Sequence, residues 1–310
     1  MNLQRKVFLN SYSNYRIGGP ANFFVEVSSP LELTEALTFA QKQNLKIFVL
    51  GKGTKVLIRD KGFDGLVIYN KIEKIEKNGE GIKVGSGTLI KDILNYCIEN
   101  SLSGLEWAGG LPGTIGGAVR GNSGAFGGEA KDNVVLVESL NLKKLGKKTR
   151  NNRECRFGYR DSVFKSGDGS NEFIIYVVLK LIPGNKEKIK ENIQQKINYR
   201  LNRQPMDYPS IGSTFKNIPL DSLPEKLQKE FANFVKNDPF PVVLVTKLLA
   251  LCDLKGKRVG DAMISEKHPN FIINVGKATE KDVSSLIEIV KETVKKKYNI
   301  LLEEEIIYLN

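Results

Sequence analysis

Two glycine-rich segments are the parts of this 310-residue sequence best suited to chemistry. The first, Gly51-Lys52-Gly53-Thr54-Lys55, follows the apolar run Ile47–Leu50. The second is denser, because ten of the 29 glycines fall within the 25 residues from 104 to 128. Glycine-rich loops beside strands bring bare backbone N–H groups close to anions. Two such loops predict a cofactor that contains a pyrophosphate.

The spacing of these glycines excludes the two most familiar nucleotide sites. Neither segment contains the P-loop pattern G-x-x-x-x-G-K-[ST], and no G-x-G-x-x-G follows a strand and opens a helix. Taken alone, Gly51-Lys52-Gly53 is equally well explained as a tight turn with a solvated lysine. The ten-glycine segment suits neither a regular helix nor a regular strand. A dinucleotide fold other than the Rossmann fold is therefore indicated.

The cysteine and histidine content argues against metal and thiol chemistry. The three cysteines, Cys97, Cys155 and Cys252, lie far apart in the sequence and form no C-x-x-C pair. His268 is the only histidine, so a multi-histidine metal centre is excluded and any Ser-His triad would need this residue. We predict neither a metal site nor a disulfide framework.

The chain is basic, with 47 lysines and arginines against 35 aspartates and glutamates and a formal net charge of +12. Such an excess favours anionic partners, whether nucleic acid, phosphorylated cofactors or acidic metabolites. The apolar runs are shorter than the roughly 20 residues that a membrane-spanning helix needs. The N-terminus also lacks the apolar core of a signal peptide. We expect a cytoplasmic protein without a membrane partner.

Short helices and strands must position the two loops. Ser29-Pro30-Leu31-Glu32 is a capping box that predicts a helix over residues 30–44, and Thr279 begins a second one. The composition changes after Pro183-Gly184, which predicts a domain boundary there. Strands are predicted at residues 23–27, 47–50, 66–69, 82–84, 134–142, 173–182, 271–275 and 305–309. This mixture indicates an α+β protein.

Eight blocks, in the same order along the chain, resemble the UDP-N-acetylenolpyruvoylglucosamine reductase family. They include LGKGT, GLPGTIGGA, GYRDSVFK, GSTFKN and LEEE, and they span almost the whole chain. The blocks lie at residues 14–21, 50–54, 110–118, 122–127, 158–165, 212–217, 265–271 and 302–305. Residues 166–183 leave no room for the additional tyrosine-bearing loop of the family's first type. The chain therefore resembles the second type.

The resemblance implies an α+β fold with a PCMH-type, vanillyl-alcohol-oxidase-like FAD-binding domain. Two α+β lobes would make up this domain, at residues 1–70 and 71–183, with backbone amides around the pyrophosphate. A C-terminal α+β substrate-binding domain at residues 184–304 would hold a UDP-sugar. Residues 305–310 would form a terminal strand that returns to the catalytic site.

The resemblance also implies the reaction, which is reduction of an enolpyruvyl ether on UDP-N-acetylglucosamine to a lactyl ether. Hydride would pass from NADPH to FAD and then to the vinyl carbon, so the cofactor carries the redox chemistry. The protein would deliver a proton to the adjacent carbon. The implied partners are the UDP-sugar and NADPH, with the protein acting as a cytoplasmic monomer in peptidoglycan precursor synthesis.

Three catalytic residues are implied by their places in the matching blocks. Ser213, in Gly-Ser-x-Phe-Lys-Asn, resembles the family's proton donor, a role that needs help because an isolated serine hydroxyl is weakly acidic. Arg160 resembles the arginine that neutralises the substrate carboxylate as it gains enolate character. Glu305 resembles the third catalytic group. If it is protonated, its carboxyl group could hydrogen-bond the developing oxyanion, which would require a raised pKa in a closed site.

The resemblance assigns the cofactor and substrate contacts to further residues. The first loop departs from the family pattern Gly-x-Gly-Ser-Asn, because Thr54 and Lys55 stand where serine and asparagine are usual. The implied cofactor-binding residues are Gly51, Lys52, Gly53, Thr54, Lys55, Gly110, Pro112, Gly113, Thr114, Gly116, Gly117, Ala118, Asn122, Gly124 and Ala125. The candidates for substrate binding are Tyr159, Arg200, Arg203, Lys216 and Asn217.

Residues 218–241 form a second departure from the family pattern. This segment is longer and more charged than the usual link between the Phe-Lys-Asn and Leu-Lys-Gly blocks. We interpret it as a surface excursion.

Two other functions remain open at this point. One is another PCMH-fold FAD oxidoreductase that acts on an alcohol or a lactone, although such an oxidase needs no proton donor for a saturated carbon. The other is a nucleic-acid-binding protein, since a sequence pI of about 9.4 meets the electrostatic criterion for one. No nucleic-acid-binding motif is recognisable, and the lysines are interspersed with acidic residues.

Overall fold

The computed structural model describes residues 1–310 and divides them into two compact units. Unit 1 comprises Met1–Val7, Ala21–Lys52 and Asp64–Tyr199. Unit 2 comprises Phe8–Pro20, Gly53–Phe63 and Arg200–Asn310. The first glycine loop is therefore shared, because unit 1 ends at Lys52 and unit 2 resumes at Gly53. The division predicted at residues 70, 183 and 304 stays a prediction.

Eight α-helices form, and the capping residue of each predicted capping box, Ser29 or Thr279, begins one of them. The Ser29 hydroxyl oxygen accepts a hydrogen bond from Glu32 N at 3.2 Å, and that of Thr279 accepts one from Asp282 N at 3.1 Å. Each bond satisfies a backbone donor that the first helical turn leaves unpaired. None of the helices combines the length and the apolar character needed to cross a membrane. The helices are α1 (Pro30–Lys42), α2 (Ile90–Glu99), α3 (Ile115–Arg120), α4 (Val163–Ser166), α5 (Lys186–Arg203), α6 (Glu225–Glu230), α7 (Val245–Ala250) and α8 (Glu280–Tyr298).

Two sheets form the frame of unit 1. The four-stranded sheet has the spatial order Leu3–Phe8, Pro20–Val27, Phe63–Asn70 and Ile47–Leu50. The five-stranded antiparallel sheet has the order Lys147–Asn151, Val134–Asn141, Glu172–Leu179, Gly81–Gly85 and Ile75–Asn78. Two short pairs complete the unit, Gly124–Ala125 with Gly128–Glu129 and Leu102–Ser103 with Ile182–Pro183. The first sheet positions the first glycine loop, because strand Ile47–Leu50 ends immediately before that loop.

Unit 2 is built around α8, whose apolar face is buried. Val283, Leu286, Ile287, Val290 and Val294 are each at most 1% exposed, as expected from their helical spacing. Its strands are Ile218–Pro219, Pro241–Val243 and Val235–Asn237 in one sheet, Arg258–Val259, Ala262–Ile264 and Ile272–Asn274 in another, and the parallel pair Val56–Ile58 with Ile307–Leu309. The last pair joins residues from opposite ends of the chain within one unit.

Residues 218–241, interpreted from the sequence as a surface excursion, are mostly exposed but are also anchored in the core of unit 2. Strand Ile218–Pro219 pairs with Pro241–Val243, so the two ends of the segment are joined. Phe231, between them, is fully buried in the core of unit 2 and meets the ring of Tyr298 edge to face, with centroids 5.2 Å apart. The charged residues of the segment are its solvent-exposed face, and its few apolar residues are part of the core.

We expect Phe231→Leu to destabilise unit 2 by about 1–2 kcal/mol, because a smaller side chain leaves a gap and loses the ring contact. Phe8→Ala is the matched control, since Phe8 belongs to the same unit and is 62% exposed. Urea unfolding followed by circular dichroism measures both changes. Equal stability of the two variants would contradict the buried position of Phe231.

Candidate active site

The two glycine loops predicted from the sequence meet in unit 1. A Cβ added to Gly51 would lie 3.0 Å from Thr114 Oγ1. Thr114 is the N-cap residue of α3, and its hydroxyl oxygen accepts a hydrogen bond from Gly117 N at 3.3 Å. A larger residue at position 51 would therefore press against this cap. The contact explains why the first loop carries glycine where it passes the second.

Glycine is also needed within the second loop. Gly113 has a φ of +106°, in the region that favours glycine. A Cβ on Gly116 would lie 2.8 Å from Ser86 Cβ, so α3 packs closely against that residue. Gly117 differs, because a Cβ there would have its nearest neighbour 3.6 Å away. The start of α3 is thus tightly packed at one glycine and open at the next.

These features fit a pyrophosphate held by loop backbone rather than by a helix end. The amides of Ile115 and Gly116 donate to Thr88 O at 3.0 Å and Ser86 O at 2.9 Å. Carbonyl groups outside helix α3 therefore already occupy its first amides, and the helix has only six residues. Bare glycine backbone at residues 51 and 113 is the part of this surface that suits an FAD pyrophosphate.

The rest of the first loop has different surroundings. Gly53 has a φ of +60°, and a Cβ there would lie 2.4 Å from Tyr12 O, so this glycine packs within unit 2. Lys52 is exposed, and its Nζ lies 3.4 Å from the hydroxyl of Tyr69 in unit 1. Thr54 and Lys55 also belong to unit 2.

Asn122 holds the second loop to the segment that carries two predicted site residues. Its side chain is fully buried, and Nδ2 donates to Gly158 O at 2.8 Å. Its Oδ1 accepts a hydrogen bond from Lys131 N at 3.1 Å. Because Gly158 directly precedes Tyr159 and Arg160, these bonds fix the chain just before them.

Arg160 lies against the hairpin of Gly124–Ala125 and Gly128–Glu129. Its Nη2 donates to Gly124 O at 2.8 Å, and its guanidinium carbon stands 5.2 Å from the ring centroid of Tyr159. A Cβ on Gly124 would lie 2.9 Å from Arg160 Nη1. Glycine at position 124 therefore leaves the space that the guanidinium occupies. Arg160 has a φ of +54°, and its carbonyl oxygen accepts a hydrogen bond from Lys165 Nζ at 2.7 Å.

Glu129, which was not predicted from the sequence, supplies a carboxylate next to the Arg160 guanidinium. It is 2% exposed, and its Oε1 lies 4.0 Å from Arg160 Nη1. Its Oε2 lies 2.6 Å from Lys131 Nζ. A buried carboxylate beside two cations balances part of their charge and limits where the guanidinium can go. An acidic residue directly after the Gly127-Gly128 turn was the signal in the sequence.

Ser213 lies in unit 2 at a turn, and hydrogen bonds hold the two residues that follow it. Gly212 before it has a φ of +78°, and Ser213 itself forms an antiparallel bridge with Phe271. Thr214 N donates to Asn270 O at 2.7 Å, and Phe215 N donates to Asn270 Oδ1 at 3.0 Å. The asparagine of the Pro-Asn-Phe block therefore fixes the backbone that follows the predicted proton donor.

The three consecutive glutamates have three different partners. Glu303 pairs with Lys216, and Glu304 contacts Lys291 Nζ at 2.7 Å and the Tyr308 hydroxyl at 2.7 Å. Glu305 pairs instead with Lys55, whose Nζ lies 3.1 Å from Oε1.

Glu305 is also the glutamate that lies beside the predicted proton donor. Its backbone N donates to Thr214 O at 2.8 Å, and Lys55 Nζ donates to Ser213 O at 2.7 Å. Of the three, Glu305 is thus the one that shares a cation with Ser213.

The predicted substrate-binding residues fall in both units. Tyr159 belongs to unit 1, and the other four belong to unit 2. Arg200 is buried near the end of α5, whereas Arg203 is exposed. Asn217 Oδ1 accepts a hydrogen bond from Val245 N at 3.1 Å, which fixes the start of α7. Lys216 pairs with Glu303. Their role toward a substrate stays a prediction.

His268 is a packing residue in this structure. Its ring meets Phe271 edge to face at 4.7 Å, and Nε2 lies 3.3 Å from Thr246 Oγ1. Burial lowers the pKa of His268 to about 4, so the ring is neutral at pH 7. It supports the segment that pairs with Ser213.

Two family models match the chain, one mainly within unit 1 and the other within unit 2. One, described as an FAD binding domain, matches residues 21–143. The other, described as the C-terminal domain of UDP-N-acetylenolpyruvoylglucosamine reductase, matches residues 204–309. The first match contains both glycine loops, and the second contains Ser213 and Glu305.

Whole-length relatives extend this result. A UDP-N-acetylenolpyruvoylglucosamine reductase of Clostridium novyi is 35% identical, over 98% of this chain and 91% of that protein. The chain belongs to the UDP-N-acetylenolpyruvoylglucosamine reductase family. A reductase of the same name from Fervidobacterium nodosum is also 35% identical, over 97% of this chain and 91% of that protein. The crystal structure of the reductase from Thermus caldophilus matches with a TM-score of 0.79 and 31% identity, over 100% of both chains.

Membership in the reductase family confirms two predictions made from the sequence. The fold class is α+β with a PCMH-type FAD-binding domain and a C-terminal α+β domain. The cofactor is FAD. The individual site residues stay predictions, and the contacts described above indicate which of them can act together.

Proposed function

We propose that this protein catalyses the NADPH-dependent reduction of UDP-N-acetylglucosamine enolpyruvate to UDP-N-acetylmuramate in peptidoglycan precursor synthesis. It is an FAD-containing oxidoreductase, a UDP-N-acetylmuramate dehydrogenase by activity. Its partners are the UDP-sugar and NADPH, with neither nucleic acid nor membrane among them. We also propose that it works as a monomer in the cytoplasm, where NADPH is available.

The work is divided along the chain in this proposal. Residues 1–70 and 71–183 are the two FAD-binding lobes, residues 184–304 hold the UDP-sugar, and residues 305–310 return to the catalytic site. The glycine backbone at residues 51 and 113 would hold the FAD pyrophosphate. FAD held there would supply the hydride-transfer chemistry between NADPH and the vinyl carbon.

The protein's own residues handle the proton and the negative charge. Ser213 donates a proton from its hydroxyl to the carbon next to the one that receives hydride. Arg160 balances the charge on the substrate carboxylate as it gains enolate character, because a guanidinium is always ionised and offers a planar fork of donors. Glu305 is the third catalytic group and lies beside Ser213.

One observation in unit 2 supports this assignment most strongly. Ser213 and Glu305 lie far apart in the sequence, yet their segments are joined by the bond from Glu305 N to Thr214 O at 2.8 Å. Lys55 Nζ contacts both the Ser213 carbonyl and the Glu305 carboxylate. A predicted proton donor and a predicted acidic partner therefore occupy neighbouring positions within one compact unit.

The test follows the flavin colour of the purified protein under anaerobic conditions. NADPH should bleach the visible absorption, and UDP-N-acetylglucosamine enolpyruvate should restore it with formation of UDP-N-acetylmuramate. The saturated product is the control, because it has no vinyl group to accept hydride and should restore nothing. A colourless protein that cannot bind added FAD, or a reduced flavin that the enolpyruvyl sugar fails to reoxidise, would refute the proposed function.

A further inference from the structure

Lys55 occupies a position that the pairing of two strands fixes. It directly precedes Val56–Ile58, which pairs in parallel with Ile307–Leu309, with Val56 opposite Ile307. Ile307 N donates to Lys55 O at 2.8 Å. Because the two strands begin side by side, the residue before the first strand lies next to the residues before the second. Lys55 is therefore held beside Glu305 by backbone bonds and not only by its side chain.

The ammonium of Lys55 joins two groups of the proposed catalytic site. Its Nζ donates to Ser213 O at 2.7 Å and lies 3.1 Å from Glu305 Oε1. The Lys55 and Glu305 side chains are 34% and 17% exposed, so the pair is only partly screened by water. The side chain of Lys55 also passes the turn at Gly212, where a Cβ would stand 3.7 Å from Nζ.

These contacts point away from the cofactor role that the sequence analysis gave Lys55. The glycines that fit the pyrophosphate, Gly51 and Gly113, lie in unit 1, whereas Ser213 and Glu305, which the Lys55 ammonium contacts, lie in unit 2. An asparagine, usual at this place in the family pattern, is shorter and uncharged. It could not form the ion pair with Glu305, so lysine gives this chain a link that an amide does not supply.

We propose that Lys55 is a positioning residue for proton delivery, an inference that rests on the proposed function. Its ammonium sets the spacing between the Glu305 carboxylate and the backbone of Ser213. It thereby orients the turn that presents the serine hydroxyl. Lys55 acts through these two groups, and a shift of about 1 Å in a reacting group is enough to slow a reaction on the order of 10²-fold.

The test compares Lys55→Met, which keeps the length and removes the charge, with Lys55→Arg, which keeps the charge. Lys55→Met should bind FAD with unchanged affinity and be reduced by NADPH at the native rate. Its reoxidation by the enolpyruvyl UDP-sugar should slow on the order of 10–10²-fold. Lys55→Arg should recover most of that loss. Lys61→Met is the control, because Lys61 is an exposed lysine of the same unit.

A double-mutant cycle with Glu305→Gln separates positioning from a general loss of structure. If Lys55 acts through Glu305, then Lys55→Met should slow reoxidation much less in the Glu305→Gln background than in the native protein. Equal effects in both backgrounds would overturn the proposal. So would weaker FAD binding with normal reoxidation at saturating FAD, which would return Lys55 to the cofactor.

Misfolding of Lys55→Met and failure of the proposed function can each be told apart from failure of the Lys55 proposal. If Lys55→Met fails to fold, the comparison passes to Lys55→Asn, which restores the family's amide, and normal reoxidation in that variant would overturn the proposal. Failure of the native protein to be reoxidised by the enolpyruvyl sugar would refute the proposed function itself. That second failure is visible before any variant is made.

Discussion

Replacing Ser213 by alanine should leave the reduction of bound flavin by NADPH near its native rate and slow reoxidation by the enolpyruvyl sugar on the order of 10²–10⁴-fold. The reason is that the serine hydroxyl is needed only when a proton must reach the substrate carbon. The bond from Lys55 uses the Ser213 carbonyl, and the bridge to Phe271 includes the bond from Thr214 N to Asn270 O, so alanine can keep both. Stopped-flow absorbance in each half-reaction measures the two rates separately.

Two further variants sharpen the test of Ser213. Ser213→Cys should retain more activity than Ser213→Ala, because a thiol can donate a proton, although its larger sulfur places that proton differently. Ser222→Ala is the matched control, since Ser222 is an exposed serine of the same unit. If Ser213 only shapes the turn after Gly212, alanine should slow both half-reactions together or neither. Either result would remove Ser213 from the catalytic residues.

Arg160→Lys should slow reoxidation by the enolpyruvyl sugar on the order of 10²–10³-fold, the usual effect of losing one donor to a developing negative charge. Lysine keeps the positive charge but has no planar fork. Arg160 donates from Nη2 to Gly124 O at 2.8 Å and still presents further donors in the same fixed plane. A lysine ammonium that bonds Gly124 O has no such plane of remaining donors. Reduction of the flavin by NADPH should be unchanged.

Arg156→Lys is the control for this substitution, because the Arg156 side chain is 70% exposed in the same unit. The measurement is the dependence of the reoxidation rate on the concentration of the enolpyruvyl sugar. We expect the maximal rate to fall more than the apparent affinity, because the charge on the carboxylate grows during the reaction. A change in affinity alone would make Arg160 a binding residue without a part in the chemical step.

Local patterns in the sequence predicted the local features of the fold. The capping residues Ser29 and Thr279 begin α1 and α8 as expected, since each hydroxyl bonds a backbone N–H three residues on. The glycine loops were found because close approach of backbone requires glycine, as at Gly51 and Gly116. The family was found because several blocks occur in one order, which no single motif could have established.

Features that depend on distant pairings could not be predicted in the same way. The contacts of Lys55 follow from a parallel pairing between residues more than two hundred positions apart, and no local pattern encodes them. Phe231 stands among charged residues in a largely exposed segment, so no local pattern marks it as a core residue. Glu129 was missed because its importance comes from Arg160, which a separate segment supplies.

The parallel pairing of Val56–Ile58 with Ile307–Leu309 also has a consequence for synthesis on the ribosome. At roughly 5–20 residues per second, residues 307–309 emerge on the order of tens of seconds after residues 56–58. During that interval the early strand has no partner edge, and the ammonium of Lys55 has no Glu305. Unit 2 therefore closes late in translation, and the nascent chain must keep an apolar, unpaired strand from aggregating until then.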